Sequence, residues 1–324
     1  MRPLNLKWSV ASIVLAVLLI LPFTASGYVV RFLTFTFMFL ILAESWNLFG
    51  GYTGYTSFGH VAFFGIGAYS TAICMVKLGI PFCVSAILGG AFSALMALLL
   101  ATVLFKMKSH YFVMGSLGVA EVTREIVSNM TKVTGGGMGL TMPILPWEAQ
   151  TSNTFFYFLM FGVTVLTVIT TVIVVRSRSG YAFLAIRDGE LVASVLGINT
   201  VFYKTFCLAL SSFFPALAGG IYAYWMTYVE PASVFDIKIS ILMLVMAFLG
   251  GRGTVLGPIL GAFLLQVLSE IFWAKFITIH TAILGVVMVI VILFLPGGIV
   301  ELVKRGREGF SLRWLRENLN RYRV

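Results

Sequence analysis

Long apolar runs separated by short polar stretches set the pattern of this chain. Charge-free stretches of 23 residues lie between Lys7 and Arg31, 28 between Lys77 and Lys106, 27 between Glu148 and Arg176, and 25 between Lys204 and Glu230. A helix needs about 20 apolar residues to cross the hydrocarbon core of a bilayer. The spacing predicts helices over 8–30, 32–49, 60–78, 82–105, 111–129, 153–175, 200–228, 237–251, 254–274 and 278–300. The expected fold is all-α: a polytopic membrane helix bundle of about ten transmembrane spans over residues 1–300, followed by a basic tail at 301–324. The start, "MRPLNLKWSVASIVLAVLLI", has the basic front of a signal peptide. Its apolar stretch is longer than a typical leader's and no A-x-A cleavage site follows, so it reads as a retained first helix.

Two stretches interrupt the pattern. In "GGYTGYTSFGHVAFFGIGAYS", residues 50–70, Gly50, Gly51 and Gly54 weaken a helix by about 1 kcal/mol each relative to alanine. Thr53, Thr56 and Ser57 supply hydroxyls for freed backbone groups, and apolar residues resume at Phe58. One reading is a broken helix near 50–60, whose restarting N-terminus suits a carboxylate or carbonyl and marks a transport path. That path would be lined or shaped by Thr56, Ser57, Gly59, His60, Gly65 and Gly67. The other is a tight turn followed by close packing of Gly59, Gly65 and Gly67. The second interruption, "FLGGRGTVLGPILGAF", repeats glycine every fourth residue at Gly253, Gly257 and Gly261, a surface on which another helix can approach closely.

Composition sharpens this picture. Of 324 residues 60% are hydrophobic and only 10% charged, against about 25% in soluble domains. The net charge of +10 would suggest nucleic acid in a soluble protein; here it follows the membrane, and no nucleic-acid partner is expected. With the N-terminus in the cytoplasm and ten alternating spans, 16 of the 22 basic residues fall inside, in keeping with the positive-inside bias. Both termini are then cytoplasmic. The loop 130–152 lies outside, and the loop 176–199, with a short amphipathic helical pattern, lies inside. Cys74, Cys83 and Cys207 have neither metal-ligand spacing nor an even count.

Catalytic chemistry is missing. The patterns G-x-x-x-x-G-K-[ST], G-x-S-x-G and H-E-x-x-H do not occur, and His60, His110 and His280 are too scattered for a metal site. Uphill transport would draw on an ion gradient or on another subunit. Intramembrane acids mark ion coupling, and the candidates are Glu44, Glu121, Glu125 and Glu270. Glu121 and Glu125, with Arg124 between them, also read as a local charge-compensated cluster.

Five stretches together resemble the permease subunits of branched-chain amino acid ABC importers of the Liv type, in particular the longer LivM-like subunit. They are "NLFGGYTGYTSFGHVAFFGIGAY" (47–69), "YFVMGSLGVAEVTREIVSN" (111–129) with "TGGGMGL" (134–140), "GYAFLAIRDGELVASVLGIN" (180–199), "ALAGGIYAY" (216–224) and "GGRGTVLGPILGAFLL" (250–265). The resemblance implies an inner-membrane subunit of a five-part importer. Its partners would be a second, LivH-like permease, two ABC ATPase subunits and an extracytoplasmic substrate-binding protein, with no cofactor on this chain and ATP used by the partners. It also implies that 180–199 is the coupling segment docking on an ATPase, which assigns Arg187, Asp188, Glu190, Ala193 and Gly197 to coupling. Pro215, Gly115 and Gly118 depart from the family's usual pattern. Urea or short amides stay open as substrates, as do an ion-coupled secondary transporter and a passive channel as alternatives.

Overall fold

The computed structural model describes residues 4–107, 109–275, 285 and 297–305. They are mostly helical, as lipid requires: a backbone without water must close its hydrogen bonds on itself. The long helices are α1 (Leu4–Thr24), α2 (Gly27–Trp46), α3 (His60–Leu78), α4 (Phe82–Leu104) and α5 (Ser109–Asn129). After the short α6 (Thr131–Thr134) come α7 (Ala149–Arg176), α8 (Arg178–Asp188), α9 (Glu190–Val195) and α10 (Thr200–Met226). The chain continues through α11 (Pro231–Val234), α12 (Ile237–Gly250) and α13 (Leu256–Lys275).

Helix connections gather at two ends. One end carries the turn after α2, the helices α8 and α9, and the turn between α12 and α13. The opposite end carries the segment between α5 and α7 and the segment after α10. There Leu140–Thr141 pairs antiparallel with Tyr228–Val229, a two-stranded ribbon that fastens the long polar connection to the end of α10.

Among the described residues, six segments are long and apolar enough to cross a bilayer: Gly27–Gly51, His60–Leu78, Phe82–Leu104, Ala149–Arg176, Thr200–Met226 and Pro231–Gly250. This is fewer than the ten expected. Ile13–Thr24 and Leu256–Ile271 are shorter apolar helices. The region expected as the fifth span is helical as α5, but Glu121, Arg124 and Glu125 lower its apolarity and join in an ion-pair cluster of 2.9 and 3.3 Å. The expected span 278–300 and the tail 301–324 lie largely outside the described residues.

One boundary differs from expectation. The first two helices were to meet near Arg31; they part instead at Ser26, whose φ of −63° and ψ of 152° leave the helix. Arg31 sits inside α2, its guanidinium 5.9 Å from the Trp225 ring centre. A long arginine near a helix end reaches the interface without ending the helix.

The core is built around α3 and α10. A Cβ at Gly67 would meet the Ala216 backbone, and one at Gly219 the Phe64 carbonyl, so glycine on each helix admits the other's backbone. The inner face of α2 adds Trp46, Ile41 and Leu42, all fully buried. Asn199 caps α10 by accepting from the Phe202 N–H at 3.0 Å. Asp236 caps α12 through the Lys238 N–H at 2.9 Å.

Candidate functional site

The site begins where α2 loses its regular pitch. Asn47–Gly51 forms a π-turn, a widened turn frequent at functional sites. Helical geometry ends after Thr53, whose hydroxyl donates to the Phe49 carbonyl at 2.7 Å. Residues 54–59 are irregular, with Gly54 at φ 80°.

The buried Asn47 side chain ties this turn to the second glycine-rich interruption. Its Oδ1 accepts from the Gly253 N–H at 2.7 Å, and its Nδ2 donates to the Thr254 carbonyl at 3.0 Å. A side chain of one segment thereby satisfies the backbone of another far away in sequence. Gly253 has φ 72°, and the space a Cβ would fill there is taken by the Arg187 guanidinium. Arg187, at the end of α8, donates from Nη1 to the Gly51 carbonyl at 3.1 Å, and its stem packs on Gly54. One side chain of the 176–199 loop thus occupies the seam between both interruptions.

A second attachment holds α9. Glu190 Oε1 accepts from Lys204 Nζ at 2.5 Å, and Glu190 Oε2 accepts from the Tyr55 hydroxyl. The Lys204 side chain is only 3% exposed. Its ammonium lies 4.7 Å from the Tyr55 ring centre and 5.0 Å from that of Phe105, a cation–π arrangement. Partial burial of Glu190 opposes ionisation; the Lys204 ammonium and the Tyr55 hydroxyl outweigh it and hold the carboxyl below its usual range. Burial and the adjacent carboxylate push the Tyr55 phenol up, so it remains a donor.

Around these anchors the assigned coupling residues occupy different places. Ala193 is buried at the loop's root, Asp188 and Gly197 are exposed, and Gly197 ends α9 with φ 83°. The outer face of α9 is apolar and bare: Leu191, Val192, Val195 and Leu196 are 64–86% exposed.

The residues expected along a path cluster beside the π-turn. Thr56 is half-buried and Ser57 buried. The Ser57 carbonyl accepts from Trp46 Nε1 at 2.7 Å, and its hydroxyl accepts from the Gly59 N–H at 3.2 Å. The Phe58 N–H donates to Ser116 of α5 at 3.0 Å, and Ser240 of α12 donates to the Phe58 carbonyl at 2.7 Å. Hydroxyls from two other helices therefore satisfy this irregular backbone. His60 opens α3, fully buried, with Nε2 3.3 Å from the Ser211 hydroxyl and Nδ1 without a partner among the described residues. Gly59 abuts the Ser116 carbonyl, Gly65 lies under the Phe235 ring, and Gly67 meets α10. Gly261 brings α13 onto the backbone of α12 at Met246, and Gly257 meets the backbone of Gly251 just past its end.

Asn47, Tyr55, Lys204, Ser116 and Ser240 hold this junction together but were not singled out from sequence. For Lys204 a signal existed: a cation one turn inside the predicted helix 200–228, at the edge of its 25-residue charge-free stretch, needs a partner.

A multi-pass membrane bundle with a two-helix loop fastened to one end of its spans has the form of a transporter's membrane subunit. Residues 28–295 match the family described as "Branched-chain amino acid transport system / permease component", and the chain belongs to it. It is 27% identical over 311 residues to the high-affinity branched-chain amino acid transport system permease protein LivM of Salmonella typhimurium, covering 87% of this chain and 72% of that protein. Against the protein of the same name from Escherichia coli, identity is 27% over 323 residues, 91% of this chain and 75% of the relative. No solved structure matches.

Proposed function

We propose that this chain is a permease subunit of an ABC importer for branched-chain or similar hydrophobic amino acids. It sits in the cytoplasmic membrane, with the end bearing α8 and α9 inside the cell and both termini cytoplasmic. A second, LivH-like permease completes the translocation path, two ATPase subunits hydrolyse ATP, and an extracytoplasmic binding protein delivers substrate. Helices α1, α5 and α13 add to the six apolar segments, and the tenth span expected from sequence, 278–300, lies largely outside the described residues. Thr56, Ser57, Gly59 and His60 shape the inner part of the path, with Gly65 and Gly67 setting how tightly its wall packs.

One observation carries the coupling role. Helix α9 exposes Leu191, Val192, Val195 and Leu196 on one side, while Glu190 grips Lys204 and Tyr55 on the other. A bare apolar face on a polar loop favours a protein partner, and an ATPase groove is the partner the family supplies. Motion of that partner then reaches α10 through Glu190 and the α2 and α12 ends through Arg187.

Reconstitution tests this reading. With both permeases, the ATPases and the binding protein in vesicles, leucine uptake should require ATP, and competition with isoleucine, valine and urea ranks the substrates. Glu190→Arg should leave ATP hydrolysis running while uptake falls at least tenfold. Concentrative uptake by this chain alone, collapsed by an uncoupler, would replace the reading with ion-coupled transport. The buried Glu44, whose oxygens have no hydrogen-bond partner among the described residues, is the feature that would then take the ion.

A further inference from the structure

At the end opposite the coupling loop, a cavity of about 680 Å³ opens between α2, α7 and α13. Its wall carries two opposite charges, Arg31 from α2 and Glu270 from α13. Among the described residues neither takes part in an ion pair. Glu270 accepts a hydrogen bond from the Tyr28 hydroxyl on one carboxylate oxygen, Oε1. The Arg31 guanidinium leans on the Trp225 ring, and Trp225 in turn donates to Asn153 at 3.4 Å. Both charged groups are thus oriented by neighbours without being neutralised by them. Phe32 and Phe35 line the same cavity.

We infer that this cavity binds a zwitterion, its anionic group against Arg31 and its ammonium against Glu270, with apolar substance over Phe32 and Phe35. A guanidinium offers paired N–H donors to a carboxylate or phosphate. A carboxylate with an unused oxygen accepts from an ammonium. Two fixed opposite charges across a cavity select a ligand carrying both and disfavour one carrying a single charge, which leaves the other wall group uncompensated. Two sources share this chemistry: a free α-amino acid with an apolar side chain, and the headgroup of phosphatidylethanolamine at the membrane surface. The inference goes beyond the transport reading and does not need it.

The test uses the full-length chain and binding alone, so ATP-driven uptake plays no part in its outcome. Radiolabelled leucine is titrated into protein purified in lipid-free detergent, and native mass spectrometry reads the lipid retained from nanodiscs of phosphatidylethanolamine or phosphatidylglycerol. Wild type is expected to bind leucine, or to retain phosphatidylethanolamine over phosphatidylglycerol. Arg31→Gln and Glu270→Gln should each weaken the bound species at least tenfold. The exchanged pair, Arg31→Glu with Glu270→Arg, should recover binding with the ligand reversed and so controls for folding. Leucine binding identifies a free amino acid as occupant; lipid retention identifies the headgroup. Equal behaviour of wild type and both Gln variants toward both probes, or no leucine binding together with indifference to the ammonium of the lipid, overturns the inference.

Discussion

The two ends of this molecule treat charge in opposite ways. At the end that carries α8 and α9, Lys204 is almost fully buried and is held by Glu190, Tyr55 and two aromatic faces. At the opposite end, Arg31 is exposed, Glu270 is half-buried, and both border an open cavity without an ion-pair partner among the described residues. Burial makes an unpaired charge costly, so a buried ammonium commits its surroundings to supplying a counter-charge. Groups beside open space carry no such obligation and stay available. The first end is built to stay closed on itself, the second to receive.

The largest effect should come from breaking the closed end. Lys204→Met strands the one-third-exposed Glu190 carboxylate beside apolar neighbours, and Glu190→Ala strands Lys204. Each should cost roughly 2 kcal/mol, discounted from the cost of breaking fully buried pairs because Glu190 reaches water. The double variant Lys204→Met with Glu190→Met should lose less than the sum of the singles, read by thermal unfolding of the purified protein; simple additivity would sever the pair energetically. Acid sharpens the same contrast. The folded-state carboxyl of Glu190 is depressed, so its contribution is present above the ordinary glutamate value of about 4.3 and disappears as pH falls through the lower folded value. Stability of wild type and Glu190→Gln should therefore converge only as pH falls below that depressed folded value.

Asn47→Leu should come next. It removes both bonds to the 253–254 backbone and leaves a donor and an acceptor unpaired, at about 2 kcal/mol. Hydrogen exchange at residues 251–255 should accelerate while exchange at the terminal ribbon stays as it was. Gly253→Ala should cost about 1 kcal/mol for the left-handed backbone and more for contact with Arg187. Arg187→Ala in the same chain should return only the contact part, so a full rescue would mean that the backbone is unstrained. The smallest effect belongs to the open end: Arg31→Gln and Glu270→Gln should change stability by less than about 0.5 kcal/mol. A large loss there would mean that these groups are structural and would erase the contrast.

Apolar run length placed the helix starts at His60, Phe82 and Thr200 within a residue or so, because hydrophobic patterning is a local signal. The boundary at Ser26 escaped it, since Arg31 looked like an interface charge and the true exit from the helix is a short Ala-Ser-Gly step. Both glycine-rich interruptions stood out as departures from helix chemistry. Their meeting did not, because it depends on one asparagine bridging segments that only the folded bundle brings together. The same holds for Glu190: its loop was legible by resemblance, whereas its partners lie on α10 and in the turn after α2. Long-range polar pairing leaves little trace in local pattern beyond the oddity of a lysine inside an apolar helix.

Helix α10 runs from Lys204 near its first turn to Met226, which leads directly into the Tyr228–Val229 ribbon. At 1.5 Å per residue that is about 35 Å of continuous rod. The rod is interrupted only in its hydrogen bonding, at Pro215, where the imino nitrogen cannot complete the ladder. A displacement at the Lys204 end would therefore reach the ribbon end through one element, and Pro215 is the place where that element can bend.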